Sequence, residues 1–293
     1  MSTPKIAVFA AGEKGRAFLA AILREVTAEV LEVRTYKQPR TLDDADSAIA
    51  ELCNSRNIPV FIGARNPTEI GVNIDIVFIV GWQYLLPRDP RLVVFHDGLL
   101  PRFRGFAPTV SALIAGEAEI GVTALQPIDE PDAGPILTTH AQQVTYPIKI
   151  RDALERLTES YIICANDVIR NFSDGSFSGT PQDHSAATYS VWRDDEDFRI
   201  NWSDDALRIC RTVDALGWPY QGARTQVGST PLTILDAIPG PDLRFELNQP
   251  GKLWSISEGI GTVICGRGTV VLRDVRDADG NPYRFERLRV RLN

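Results

Sequence analysis

His96 ends the run RLVVFH and is followed at once by DGLLPRFRG, so one imidazole is delivered at the tip of an apolar strand with a Pro/Arg/Gly turn behind it. Histidine changes charge near neutral pH, which suits it to general acid–base work. A lone histidine is more often structural, so its neighbours decide the reading. The turn IDEPDAGPI gathers Asp129, Glu130 and Asp132, and a carboxylate held there could orient an imidazole; a plain acidic turn is the alternative. Arg102 and Arg104, in the LLPRFRG turn, would either anchor an anionic group or stand in solvent. The stretch IVGWQYLLP offers Gly81, Trp82, Tyr84, Leu85 and Leu86 as a wall for a flat ring, with core packing as the other reading of its aromatics. The four cysteines (Cys53, Cys164, Cys210, Cys265) lie far apart with no CxxC, which reads as reduced core thiols and no metal site.

These groups need a scaffold. KIAVFAA (5–11), then Gly12 and Gly15, then RAFLAAILREV reads as strand, glycine turn and helix, the first unit of an α/β domain. GEKG is not GxGxxG, so no dinucleotide fingerprint is present. Further strands are predicted over 28–36, 58–63, 74–81 and 91–96, with a helix over 43–57 that aspartates cap. Continuous apolar runs separated by helices imply a mostly parallel, doubly wound sheet, whose ligands bind at the carboxyl ends of the strands, where His96 falls. Residues 107–117 read as a helix and 149–172 as a long amphipathic one; 120–128 and 134–144 alternate as an antiparallel extension. After the turn-rich DGSFSGTPQDH comes a helix over 203–216. From Pro219 onward short strands with Gly/Pro/Asp turns (the last being YRFERLRV) suggest a small β-barrel or sandwich.

The chain has 293 residues and a net charge of −7, room for one large or two ordinary domains and a poor match to a generic nucleic-acid binder. The N-terminal apolar stretch is too short for a secretory signal and nothing approaches a membrane span, so a soluble cytoplasmic protein is expected.

The turn and the acidic segment together carry a resemblance. H-x-x-L-L-P-x-F-R-G followed by D-x-G resembles the N10-formyltetrahydrofolate-dependent formyltransferases, in both their methionyl-tRNA and nucleotide-sugar branches. GWQYLLP is similar to the folate-loop segment of the sugar enzymes, and EIGVTALQPIDEPDAGPI to the family's G-V-T-x-x-x-M/I-D-x-x-x-D-x-G-x-I. QDHSAATY, DFRINW, VDALGWPYQGART and the stretch from PGKLWSI to RDADGNP resemble the later parts of the tRNA enzyme.

The resemblance implies a Rossmann-like catalytic domain over 1–189, a linker over 190–202 and an OB-like barrel over 203–293. It implies His96 and Asp132 as the catalytic pair. Gly81, Trp82, Tyr84, Leu85, Leu86 and Asp129 would bind N10-formyltetrahydrofolate as co-substrate. The reaction would be formyl transfer to a primary amine: the amine attacks the formyl carbon, the oxygen becomes an oxyanion that needs donors, and a base takes the ammonium proton or an acid protonates N10 as it leaves.

One departure stands out. The family places an asparagine two residues before the histidine, and this chain has Val94. Three accounts are open: another donor (protonated His96, Thr123, Gln126 or a backbone N–H), a different acyl donor, or a binding-only site. Arg102, Arg104, Thr123 and Gln126 are the candidate substrate contacts. With 14 Lys+Arg against 15 Asp+Glu over 190–293, the barrel is not globally basic, so a small amine, first a nucleotide-linked amino sugar, is favoured over tRNA. The arginines at 287, 289 and 291 would share one face of a strand, beside Arg284. A homodimer is left open.

Overall fold

In the computed structural model, residues 3–39, 41–63, 70–84 and 86–293 are described. Two units divide the chain: one of Met1–Thr109, Ala118–Val144 and Asp152–Val191, the other of Val110–Glu117, Thr145–Arg151 and Trp192–Asn293.

The elements run β1 (Lys5–Ala10), α1 (Gly12–Glu25), β2 (Glu29–Thr35), α2 (Ala45–Asn54), β3 (Val60–Ile62), β4 (Ile76–Val80), β5 (Leu92–His96), β6 (Arg104–Gly105), α3 (Pro108–Ala115), β7 (Glu119–Leu125), β8 (Ile136–Gln143), α4 (Ile150–Ser173) and β9 (Tyr189–Ser190). A seven-stranded sheet has the order β3-β2-β1-β4-β5-β7-β8. Its first five strands are parallel, and β7 and β8 extend it antiparallel. The apolar runs behave as their composition requires. Every residue of β4, and all but the first of β1, is buried, because both faces of these central strands are covered. On one face Phe18 of α1 packs its ring against Phe78 and Phe95. The other face carries Ala7, Phe9, Val77, Ile79 and Leu92, with Trp82, Leu86 and Val94 packed against them. Strand order reverses between β1 and β4, so the carboxyl ends of β1, β4 and β5 meet at the switch point.

The second unit holds α5 (Ala206–Ala215), β10 (Ala223–Val227), β11 (Thr230–Pro239), β12 (Leu253–Ser257), β13 (Ile260–Ile264) and β14 (Thr269–Arg276). The Asp205 side chain caps α5 by accepting from Arg208 N at 2.9 Å. An antiparallel sheet runs β10-β11-β14-β13-β12. Its two edges are joined by the C-terminal residues: Val227 bridges Leu292 and Lys252 bridges Arg291, so the sheet closes into a barrel. The predicted strand YRFERLRV does not form. Arg289 has φ +66°, which breaks the alternation, and residues 287, 289 and 291 do not share a strand face. Among the described residues no helix is long and apolar enough to cross a membrane.

Candidate functional site

β5 carries His96 to the crest of the sheet, where the ring is 6% exposed. Its Nε2 lies 2.8 Å from the carbonyl oxygen of Phe103. A carbonyl only accepts, so the proton of this hydrogen bond is on Nε2, and Nδ1 is the nitrogen left for proton transfer. Nδ1 stands 3.4 Å from Asp132 Oδ2. A second proton taken by the ring therefore sits opposite a carboxylate. The other claim on Asp132 Oδ2 is the backbone N–H of Gly105, at 2.8 Å.

The backbone around this pair is unusual. Phe103, Ala107 and Asp132 have φ of +57°, +46° and +55°, a region that non-glycine residues rarely enter and that costs about 1–3 kcal/mol each. Two of the three supply the partners of the His96 ring. Gly98 is constrained by the ring itself, since a Cβ there would sit 2.9 Å from His96 Nε2 and 3.1 Å from Pro108 Cβ.

The turn after β4 lies beside the same crest. Gly81, at φ +68°, passes so close to Ala11 that a Cβ would lie 2.2 Å from its carbonyl oxygen. Trp82 packs on Phe9 and Tyr36 (ring centroids 5.3 and 5.0 Å), and Tyr84 on Tyr36 at 5.2 Å. Trp82 Nε1 is buried with no hydrogen-bond partner among the described residues. Leu86 packs against the same apolar cluster. Leu85 lies outside the described residues.

The other five expected contacts are placed as follows. Arg104 is 1% exposed and hydrogen-bonds Gln182 Oε1 at 2.7 and 3.2 Å, so it is a buried brace and not an anchor for an anion. Thr123 is fully buried opposite His96 in the β5–β7 ladder. Its hydroxyl donates to Gly98 O at 2.7 Å and accepts from Leu100 N at 3.2 Å, so it holds the turn after β5 and has no proton for a substrate. Asp129 forms a forked ion pair with Arg88 in which both side chains are 75% exposed. Arg102 is exposed, with its guanidinium 4.9 Å from the ring centre of Phe103. Gln126 follows Leu125, the ladder partner of Val94, and its N–H donates to Pro135 O at 3.0 Å.

Sequence reasoning missed a half-buried ion pair beside His96, its carboxylate buried and its lysine partly exposed. Lys14, in the first turn of α1, reaches Asp97 Oδ1 at 2.6 Å, and Thr109 Oγ1 donates to Asp97 Oδ2 at 2.7 Å. The only signal was a lysine just after the first strand. Burial pushes the Asp97 carboxyl up, but the Lys14 ammonium, His96 and the Thr109 hydroxyl outweigh it and hold the group below the usual carboxylate range. A folded value depressed below the unfolded ~3.9 adds stability that is complete above about pH 4 and lost as pH falls through the folded value. Lys14→Met would strand that carboxylate, and we expect a loss of about 3–5 kcal/mol in urea denaturation at neutral pH, together with a weaker acid dependence. Unchanged stability would show that the pair is solvated.

Comparisons with known proteins give the family. Residues 71–164 match the family model described as formyl transferase, and 193–289 match formyl transferase, C-terminal domain. A methionyl-tRNA formyltransferase of Roseiflexus castenholzii is 34% identical over 254 residues, which is 83% of this chain and 73% of that protein. Among solved structures, an N-formyltransferase from Helicobacter canadensis, in complex with folinic acid and dTDP-3-aminofucose, superposes with a TM-score of 0.68 at 14% identity. That match covers 92% of this chain and 99% of the other. HypX from Aquifex aeolicus superposes at 0.62 with 20% identity and 94% of this chain covered; the chain spans 45% of HypX. At such identities the structural matches speak for the fold alone. Two matched domains in order and a relative aligned over most of both lengths place the chain in the formyl transferase family, enzymes that transfer a formyl group.

Proposed function

We propose that the chain moves a formyl group from N10-formyltetrahydrofolate onto the primary amine of a small substrate, with a nucleotide-linked amino sugar as the first acceptor. The observation that carries this reading is His96 Nδ1 facing Asp132 Oδ2 at 3.4 Å, at the carboxyl end of β5. The folate fits what surrounds the turn after β4. A flat heteroaromatic ring could rest on the partly exposed Trp82 and Tyr84, which the buried Tyr36 backs, and the orphaned Trp82 Nε1 is a donor for a ring acceptor. When bound, the folate supplies the formyl carbon. The chain's residues do the rest: the Phe103 carbonyl fixes the ring tautomer, His96 Nδ1 takes the proton from the attacking amine and returns it to N10 as the C–N10 bond breaks, and Asp132 balances the charge in between.

The acidic chain and the near-neutral 190–293 segment support a small acceptor, as does the Helicobacter enzyme's complex with an amino-sugar nucleotide. A second reading, methionyl-tRNA as acceptor, is favoured by the 34% identity to the Roseiflexus enzyme. Incubation with N10-formyltetrahydrofolate and either a dTDP-linked amino sugar or charged initiator tRNA separates the two by tetrahydrofolate release. We expect release with the amino sugar and little change with salt. Release only with tRNA, falling steeply with salt, would overturn the first choice. No release with any amine would overturn formyl transfer itself.

A further inference from the structure

Asp132 holds a left-handed backbone conformation at φ +55°, and its carbonyl is tied down by a side chain from far along the chain. Gln182, 7% exposed, donates its side-chain amide to Asp132 O at 2.8 Å and to Gly134 O at 2.7 Å. Its own Oε1 accepts from the Arg104 guanidinium, so both ends of the amide are engaged. Arg104 also meets Glu130 Oε1 at 3.3 Å and His184 Nδ1 at 3.4 Å. The residues on either side of Arg104 are the ones that touch the catalytic pair: Gly105 N–H donates to Asp132 Oδ2, and Phe103 O accepts from His96. The 182–190 segment pins this loop a second time. Arg104 N donates to Thr188 O at 2.9 Å, Phe103 N to Thr188 Oγ1 at 2.9 Å, and Ser190 Oγ to Phe103 O at 3.3 Å. One guanidinium–amide contact thus ties the partner of Nε2 to the partner of Nδ1.

We propose that Gln182, braced by Arg104, is a positioning residue that sets where the Asp132 carboxylate stands against His96. The proposal rests on the formyl-transfer reading for its kinetic readout but not for its structural one. Gln182 touches neither reacting atom; its effect passes through the Asp132 main chain. A shift of the carboxylate by an ångström at this pair is worth up to about 10²-fold in rate.

The test uses the full chain with Gln182→Leu, which removes both donors, and Gln182→Glu, which keeps an acceptor for Arg104 but cannot donate to the two carbonyls. Both are expected to lower kcat by roughly 10–100-fold with KM for donor and acceptor changed less than about twofold. On an Asp132→Asn background the same changes should cost less than about twofold, because the group being positioned is already disabled. Equal losses on both backgrounds would mean that Gln182 acts only on stability and would overturn the proposal. If Gln182→Leu does not fold, Gln182→Glu carries the cycle alone. The nitrogen resonances of His96 give a reading free of turnover: the Nδ1 signal should move in Gln182→Glu. An inactive wild-type chain whose Nδ1 signal moves would sink formyl transfer and leave the positioning role standing. An unmoved signal in an active chain would sink the positioning role.

Discussion

His96→Ala is expected to transfer formyl groups about 10²–10⁴-fold more slowly than the wild-type chain, with little change in affinity for the folate donor. The magnitude is that of a lost general base. Nε2 is committed to the Phe103 carbonyl, so the ring's useful nitrogen is Nδ1, and no other imidazole meets Asp132 among the described contacts. The loop should survive the change. The Phe103 carbonyl keeps the Ser190 hydroxyl as a donor at 3.3 Å, so removing the ring does not orphan it. Donor affinity should hold because the Trp82, Tyr36 and Tyr84 rings pack on one another and on Phe9, and none of these ring contacts is with His96. Single-turnover tetrahydrofolate release, paired with quenching of tryptophan fluorescence by the folate, separates the two quantities. Turnover within tenfold of wild type would show that His96 is a structural ring and would remove the observation on which the proposed function rests.

Where this site was legible in the sequence, the reason is local. β1, β4 and β5 sit inside a sheet covered on both faces, so each wrote a continuous apolar run, and the histidine at the end of one fell at the crest. The Asp132 turn was legible because its acidic and glycine residues are contiguous between two antiparallel strands, although β7, expected to alternate, is buried at every residue but its first. What could not be read depends on partners far apart in sequence. Arg104 looks like a solvent-facing anchor until Gln182, 78 positions later, is placed beside it, and Asp97 looks like a turn residue until Lys14 arrives from α1. Thr123 was a reasonable spare donor by type; only its two hydrogen bonds to the Gly98–Leu100 turn show that it is spent. The arginine face failed at Arg289, whose positive φ leaves no trace in the residue pattern.

The spent hydroxyl of Thr123 bears directly on Val94. With period-two alternation, Val94 and His96 project to the same face of β5. Val94 is paired with Ile79 of β4 and Leu125 of β7 and packs against the cluster that includes Trp82 and Leu86, so its surroundings offer carbon and no amide. An oxyanion forming beside His96 is therefore short of the donor that an asparagine at this position would supply. Val94→Asn is expected to raise turnover with N10-formyltetrahydrofolate by roughly tenfold or more, toward the ~10²–10³ that one oxyanion donor is worth. The cost falls on stability: a half-buried amide against apolar neighbours should cost about 1–3 kcal/mol, seen as a lower melting temperature. Val94→Leu is the control, since it changes packing without adding a donor and should bring no gain. A rise in both variants would locate the effect in packing. A fall in Val94→Asn alone would mean that the valine is part of a working site, with the oxyanion held by a backbone N–H or by the acceptor's own polar groups.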